Sequence, residues 1–75
     1  MELKTYIESL ERGKAKELAA SLSISSSYLS QMASGKTAIS PTRCVEIENA
    51  TGGEVSRKDL RPTDWFKIWP ELQAA

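Results

Sequence analysis

Five apolar residues between positions 18 and 32 constrain the fold of this chain more strongly than any other sequence feature. They are Leu18, Leu22, Ile24, Leu29 and Met32. Leu18 and Leu22 are spaced as on one face of a helix, and so are Leu29 and Met32, whereas Ile24 interrupts the helical period. The spacing therefore predicts two short helices that are joined by a tight turn and cross at about 90–120°.

The predicted turn, Leu22-Ser23-Ile24, makes this pair of helices a candidate helix-turn-helix. Ala19 supplies the small residue that is needed where the two helices cross. Glycine is common in such turns because it adopts a left-handed backbone without strain. Ser23 stands here instead, at a cost of about 1 kcal/mol if the conformation is left-handed. Because any helical hairpin has apolar spacing, plain helical packing stays open as the alternative.

Helix-start signals along the rest of the chain predict an all-α domain of four to five short helices. The four main helices are predicted over residues 2–11, 14–21, 26–33 and 41 to about 51. Ser25 and Ser40 have the side chain of an N-cap, and Pro41 suits the first position of a helix. Ser56 and Asp59 fit a capping box, which predicts one further helical turn.

The prediction is least constrained after Gly53, beyond the fourth helix. In the fourth helix, Cys44, Ile47 and Ala50 form the expected buried stripe. A short strand that begins at Gly53-Glu54-Val55 is the alternative to the fifth helical turn. The capping box and Pro62 argue against a long strand.

The tail, residues 61–75, concentrates large apolar side chains between two prolines. They are Trp65, Phe66, Ile68 and Trp69. Two interpretations stay open: the cluster caps the core of its own chain, or it forms a dimer surface. A chain of 75 residues buries only about 60% of its unfolded surface, so a second copy would add useful burial. We treat residues 1–75 as one domain.

The residue composition excludes several classes of function. The chain has no histidine and one cysteine, Cys44, which leaves no basis for a zinc site or for a Ser-His or Cys-His catalytic set. We therefore expect no catalytic residues, metal or cofactor, and the sequence suggests no small-molecule ligand. Cys44 is expected to be a small core residue, and a lone cysteine is typical of the reducing cytoplasm. No apolar run approaches the roughly 20 residues of a membrane span.

Charge is unevenly distributed along the chain. Ten Lys and Arg residues balance ten Asp and Glu residues, so the net charge is zero. Between positions 12 and 43, however, the sequence contains five cationic residues and one acidic residue, Glu17, which is a local excess of four positive charges. The cations are Arg12, Lys14, Lys16, Lys36 and Arg43. Because phosphate contacts dominate the affinity for nucleic acid, a local basic region matters more than the overall sum.

Two parts of the sequence resemble a known family. Leu18-Ala19, Leu29-Ser30-Gln31-Met32 and Gly35-Lys36 resemble the phage repressor class of the Cro and CI type. The downstream segments 41–53, 60–62 and 65–72 are similar to the YdaS-like, Cro-like regulators of bacterial prophages, some of which are described as antitoxins. The resemblance implies a lambda-repressor-like fold and a transcriptional regulator that binds operator DNA. An antitoxin that acts by contact with a partner toxin is the alternative.

If the helix-turn-helix binds DNA, the helix predicted over residues 26–33 enters the major groove. Its outward residues are Ser26, Ser27, Ser30 and Gln31. By the resemblance, Ser26, Ser27 and Gln31 fall where this class touches base edges. Gln31 is the strongest candidate, because a glutamine amide can bond to adenine N6 and N7 together. The alternative for the serines is that small side chains only let the helix lie deep in the groove.

Residues that flank this helix are candidates for phosphate contacts, which position a protein without reading sequence. They are Lys14, Ala15, Lys16, Tyr28, Lys36, Thr37 and Arg43. Lys14 and Ala15 begin the second helix, whose N-terminal N–H groups can hold a phosphate. Tyr28 has an equal alternative, in which its ring lies over the fourth helix. Since operators of this class are near-palindromic, we expect a homodimer at least on DNA.

Overall fold

The computed structural model describes residues 1–11 and 13–73, and within them every regular element is helical. The elements are α1 (Leu3–Ser9), α2 (Lys14–Ser21), α3 (Ser26–Ser34), α4 (Pro41–Ala50), α5 (Arg57–Leu60) and α6 (Trp65–Ile68), followed by a 3₁₀ turn at Pro70–Leu72. The all-α prediction is confirmed, and the alternative of a strand after Gly53 is wrong for the part of the chain described. None of the helices in these two ranges is both long and apolar enough to cross a membrane.

Three serine N-caps set the starts of α3, α4 and α5, as predicted. Ser25 and Ser40 each accept the backbone N–H of the residue three positions later, at 3.0 and 3.2 Å. Ser56 and Asp59 form the reciprocal capping box. These side chains satisfy donors that the first turn of a helix leaves without a partner, so local sequence decides the three boundaries.

One apolar core joins the first four helices and includes Val55 from the connection between α4 and α5. Its buried members are Leu3, Leu18, Ala19, Leu22, Leu29, Met32, Ile39, Cys44, Ile47 and Val55. The predicted burial of Ala50 is wrong, because Ala50 is exposed. Thr51 lies four residues after Ile47 and therefore on the same, inward face of α4, whereas Ala50 lies on the solvent side.

Thr51 is the buried polar residue among those described, and it lies at the C-terminal end of α4. Its Oγ1 donates to the carbonyl oxygen of Ile47 at 2.9 Å and accepts the N–H of Val55 at 3.2 Å. Gly52 and Gly53, with φ values of 64° and 88°, turn the chain between these partners. The hydroxyl therefore ties the end of α4 to the connection that returns Val55 to the core.

Replacing Thr51 with valine keeps the shape of the side chain and removes the hydroxyl. The N–H of the fully buried Val55 then loses its acceptor, so we expect the free energy of unfolding to fall by about 1–3 kcal/mol. Urea denaturation measures this change. Thr42→Val, at an exposed position of α4, is the matched control and should change stability by less than about 0.5 kcal/mol. Equal effects of the two substitutions would contradict the role assigned to Thr51.

Hydrogen bonds from Arg61 connect the start of the tail to the rest of the domain. The Arg61 guanidinium donates to both carboxylate oxygens of Asp64, at 2.9 and 2.7 Å, and also to the backbone oxygen of Ile39. This side chain therefore connects the segment before α6 with the segment before α4. The sequence pattern does not predict α6, because a single helical turn is too short to show a period.

The aromatic residues of the tail differ in what they cover. Trp69 packs against the core, and the Arg57 guanidinium lies 5.2 Å from its ring centroid. Trp65 meets Phe66 edge to face, with ring centroids 5.8 Å apart. Phe66 is 38% exposed. Trp69 thus caps the core of its own chain, and a dimer surface at Trp65, Phe66 and Ile68 stays a prediction.

Candidate nucleic-acid interface

The turn between α2 and α3 has a left-handed residue at Ser23, where φ is 58°. The N–H groups of Ser23 and Ile24 bond to the carbonyl oxygens of Ala20 and Ala19, each at 3.0 Å. Ala19 is buried beside the turn. The predicted turn is therefore confirmed, together with the strain that a non-glycine residue bears in this conformation, of about 1–2 kcal/mol.

The helix α3 presents an apolar face to the core and a polar face to solvent. Leu29 and Met32 are buried where α3 packs on α1 and α2. All four residues predicted to contact bases are exposed: Ser26, Ser27, Ser30 and Gln31. Ser34, one helical turn beyond Ser30, extends this face. Ser34 is not among the predicted base contacts, because the predicted helix ends at residue 33, one residue before the observed end.

A short loop after α3 surrounds Gln31 with two of the predicted phosphate contacts. Thr37 Oγ1 donates to Gln31 Oε1 at 3.3 Å, and the N–H of Lys36 bonds to the Gln31 carbonyl at 3.0 Å. Gly35, with φ of 83°, closes the helix between them, as glycine commonly does. The bond to Thr37 orients the amide of Gln31 and leaves its nitrogen to donate to another group.

Ion pairing reduces the basic region that the charge pattern predicts. Lys14 Nζ lies 3.3 Å from Glu17 Oε2, and Arg43 Nη1 lies 3.2 Å from Glu46 Oε1. Glu46 follows the basic region in sequence and adjoins it in the fold. Both members of the Lys14–Glu17 pair are well exposed, so the pair is weak and leaves Lys14 able to meet a phosphate.

Lys16 and Lys36 are the exposed cations of this region that form no ion pair within the described residues. Lys16 lies in the first turn of α2, and Lys36 follows the end of α3. The two therefore stand at opposite ends of the helix-turn-helix. Arg12, the remaining cation of the predicted region, lies outside the described residues.

Four of the candidate phosphate contacts are half-buried: Ala15, Tyr28, Thr37 and Arg43. Tyr28 packs against the core, so only part of its ring faces solvent. Ala15 lines a groove of about 290 Å³ between α1 and α3, together with Lys4, Ser30 and Ser34. Lys4 is distant from the basic region in sequence, and only the packing of α1 on α3 brings it to the edge of the polar face.

Cys44 lies in the core, as predicted. Its Sγ is 3.9 Å from the backbone oxygen of Ile39. Burial raises the pKa of the Cys44 thiol, and the positive charge of Arg61 opposes this shift without reversing it. Within residues 1–11 and 13–73, no group of three or more His, Cys, Asp or Glu side chains is placed to hold a metal ion.

The sequence profile of the family described as bacterial toxin YdaS matches residues 3–68. The chain belongs to this family. The matched region begins with α1 and ends with α6, so it includes the helix-turn-helix, α4 and the start of the aromatic tail. The YdaS resemblance seen in the sequence is therefore confirmed. No curated protein matches the chain.

Glycine at position 23 removes the strain of the left-handed turn. We expect Ser23→Gly to raise the free energy of unfolding by up to about 1 kcal/mol, after the entropy that glycine loses on folding. Ser30→Gly, inside α3, is the control and should lower stability by about 0.5 kcal/mol, because the backbone there is helical. Urea denaturation of both variants measures the two changes. A loss of stability in Ser23→Gly would show that the serine side chain compensates for its backbone strain.

Proposed function

We propose that this protein binds double-stranded operator DNA sequence-specifically and represses transcription, acting by binding rather than by catalysis. The observation that supports the proposal best is the polar face of α3, with the oriented amide of Gln31 at its centre. Two short helices around a tight turn are the common way to place such a face in the major groove.

The side chains on α3 suit close approach to base edges. Serine side chains are small, and each hydroxyl can donate or accept. The Gln31 amide nitrogen remains as a donor beside Thr37, which favours an acceptor on a base edge as its partner. Because the carbonyl oxygen of Gln31 has two lone pairs, it can accept from Thr37 and from adenine N6 together while its amide nitrogen donates to N7. Gln31 is accordingly the residue that we assign to specificity.

Phosphate contacts in this proposal come from a small number of cations. Lys36 adjoins Gln31, and Lys16 and Lys14 lie at the start of α2. A few contacts on a neutral chain supply limited affinity, so two copies on a near-palindromic site are the natural arrangement. Phe66 and Trp65 of the tail are the part of the surface where we expect the second copy to pack.

Gel-shift titration with DNA from upstream of the protein's own gene tests the main proposal. We expect Gln31→Ala to reduce the discrimination between operator and unrelated DNA by about tenfold, since one good base contact is worth about 1–3 kcal/mol. Unrelated DNA should be bound as before. If Gln31→Ala weakens both DNAs equally, Gln31 does not read sequence.

Lys36→Ala should weaken binding to every DNA alike and lower the salt slope by about 0.9, because one phosphate contact is lost. Lys67→Ala, an exposed lysine on α6, is the matched control and should leave the slope unchanged. Absence of binding by the wild-type protein in low salt would exclude the proposal as a whole.

A second candidate function follows from the description of the family as a bacterial toxin. In this second function, the chain acts through a protein partner, either as a toxin or as the antitoxin that the sequence resemblance suggested. Inducible expression in bacteria of the wild type and of a Gln31→Ala/Lys36→Ala variant separates the possibilities. Toxicity through DNA binding is lost in the variant, whereas toxicity through a protein partner persists. For an antitoxin, the variant still restores growth when it is expressed with the neighbouring gene.

A further inference from the structure

The guanidinium of Arg43 donates a hydrogen bond within the protein, at the turn of the helix-turn-helix. Arg43 lies in the first turn of α4, and its side chain crosses to α2, where Nη1 donates to the backbone oxygen of Leu22 at 2.9 Å. The same nitrogen lies 3.2 Å from Glu46 Oε1. The side chain is 26% exposed. These contacts connect residues that are 21 positions apart in the sequence.

The carbonyl that Arg43 holds belongs to the residue before the strained one. Leu22 is the C-cap of α2, and the end of a helix leaves carbonyl oxygens without helical partners. The N–H groups of Ser23 and Ile24 satisfy the carbonyls of Ala20 and Ala19. For the carbonyl of Leu22, the donor described is Arg43. Ser23 follows directly in the left-handed conformation that disfavours residues other than glycine.

We infer that Arg43 is a positioning residue, which holds the turn in register and so sets how α3 projects from the domain. In this role the charge of Arg43 is balanced by Glu46 and not by a DNA phosphate, although the charge pattern of the sequence makes it a candidate phosphate contact. The inference rests on the proposed function for its effect on DNA binding, whereas its effect on the turn is independent of DNA.

The salt dependence of DNA binding distinguishes the two roles of Arg43. We compare Arg43→Met with Lys36→Met, since each removes one positive charge and keeps an apolar stem. We expect Arg43→Met to weaken operator binding about tenfold through the misplaced helix, with an unchanged salt slope. Lys36→Met should lower the slope by about 0.9. A slope that falls equally in both variants would overturn the inference, because it would place the Arg43 charge on a phosphate.

The second test asks whether the effect of Arg43→Met on operator affinity depends on the residue at position 23. If Arg43 contacted a phosphate, the effect would be the same with serine or glycine there. In a Ser23→Gly background the turn is unstrained and needs less support, so the effect of Arg43→Met should shrink from about tenfold to about threefold or less. The same loss of affinity in both backgrounds would contradict a role at the turn. This background also keeps the protein folded if Arg43→Met alone is too unstable to measure.

A measurement without DNA separates failure of this inference from failure of the proposed function. Amide hydrogen exchange followed by NMR reports the opening of the turn directly. We expect the amides of Ser23 and Ile24 to exchange about tenfold faster in Arg43→Met, with Ile47 in α4 as the internal reference that does not change. If the wild type binds no DNA and the exchange still rises, the turn contact stands and the proposed function falls. Unchanged exchange at both residues would overturn the inference.

Discussion

The left-handed backbone at Ser23 is the constraint on which the rest of this small domain depends. The chain must reverse between α2 and α3 within a few residues, because Leu22 and Ile24 both face the core side of the turn. Serine bears this conformation without the freedom of glycine. Backbone hydrogen bonds to α2 and a hydrogen bond from the Arg43 guanidinium on α4 stabilise the strained turn. The exposed face of α3 therefore keeps its direction only while the neighbouring helices hold the turn.

Two arginines of the second half of the domain, Arg57 and Arg61, connect its segments through ion pairs. Arg61 bonds to Asp64 and to the segment before α4, and Arg57 pairs with Glu48 at 3.1 Å. Because Glu48 and Asp64 are paired with Arg57 and Arg61, these acids do not neutralise Lys16 at the start of α2 or Lys36 after α3. Net charge thus says little about the surface that we propose for DNA, and a small set of free lysines implies modest affinity for each copy.

Much of the fold could be predicted because its signals are local. The caps at Ser25, Ser40 and Ser56 each act on a backbone group three residues away, so a short window of sequence contains all the information. The exposure of Gln31 follows from helical periodicity in the same way. Contacts between distant segments were missed: Arg43 with Leu22, Arg61 with Ile39, and the approach of Lys4 to α3. No local pattern encodes them, because they arise only when helices pack.

The sequence by itself determined the number and starts of the main helices, the position of the turn and the polar character of α3. Each of these depends on the order of residues within one or two helical turns. Only the tertiary structure decided that Thr51, and not Ala50, enters the core, that Trp69 covers it, and that the cation Arg43 is directed to the turn. Burial and ion pairing join residues far apart in the chain, so they are settled by packing geometry, which residue order alone does not specify.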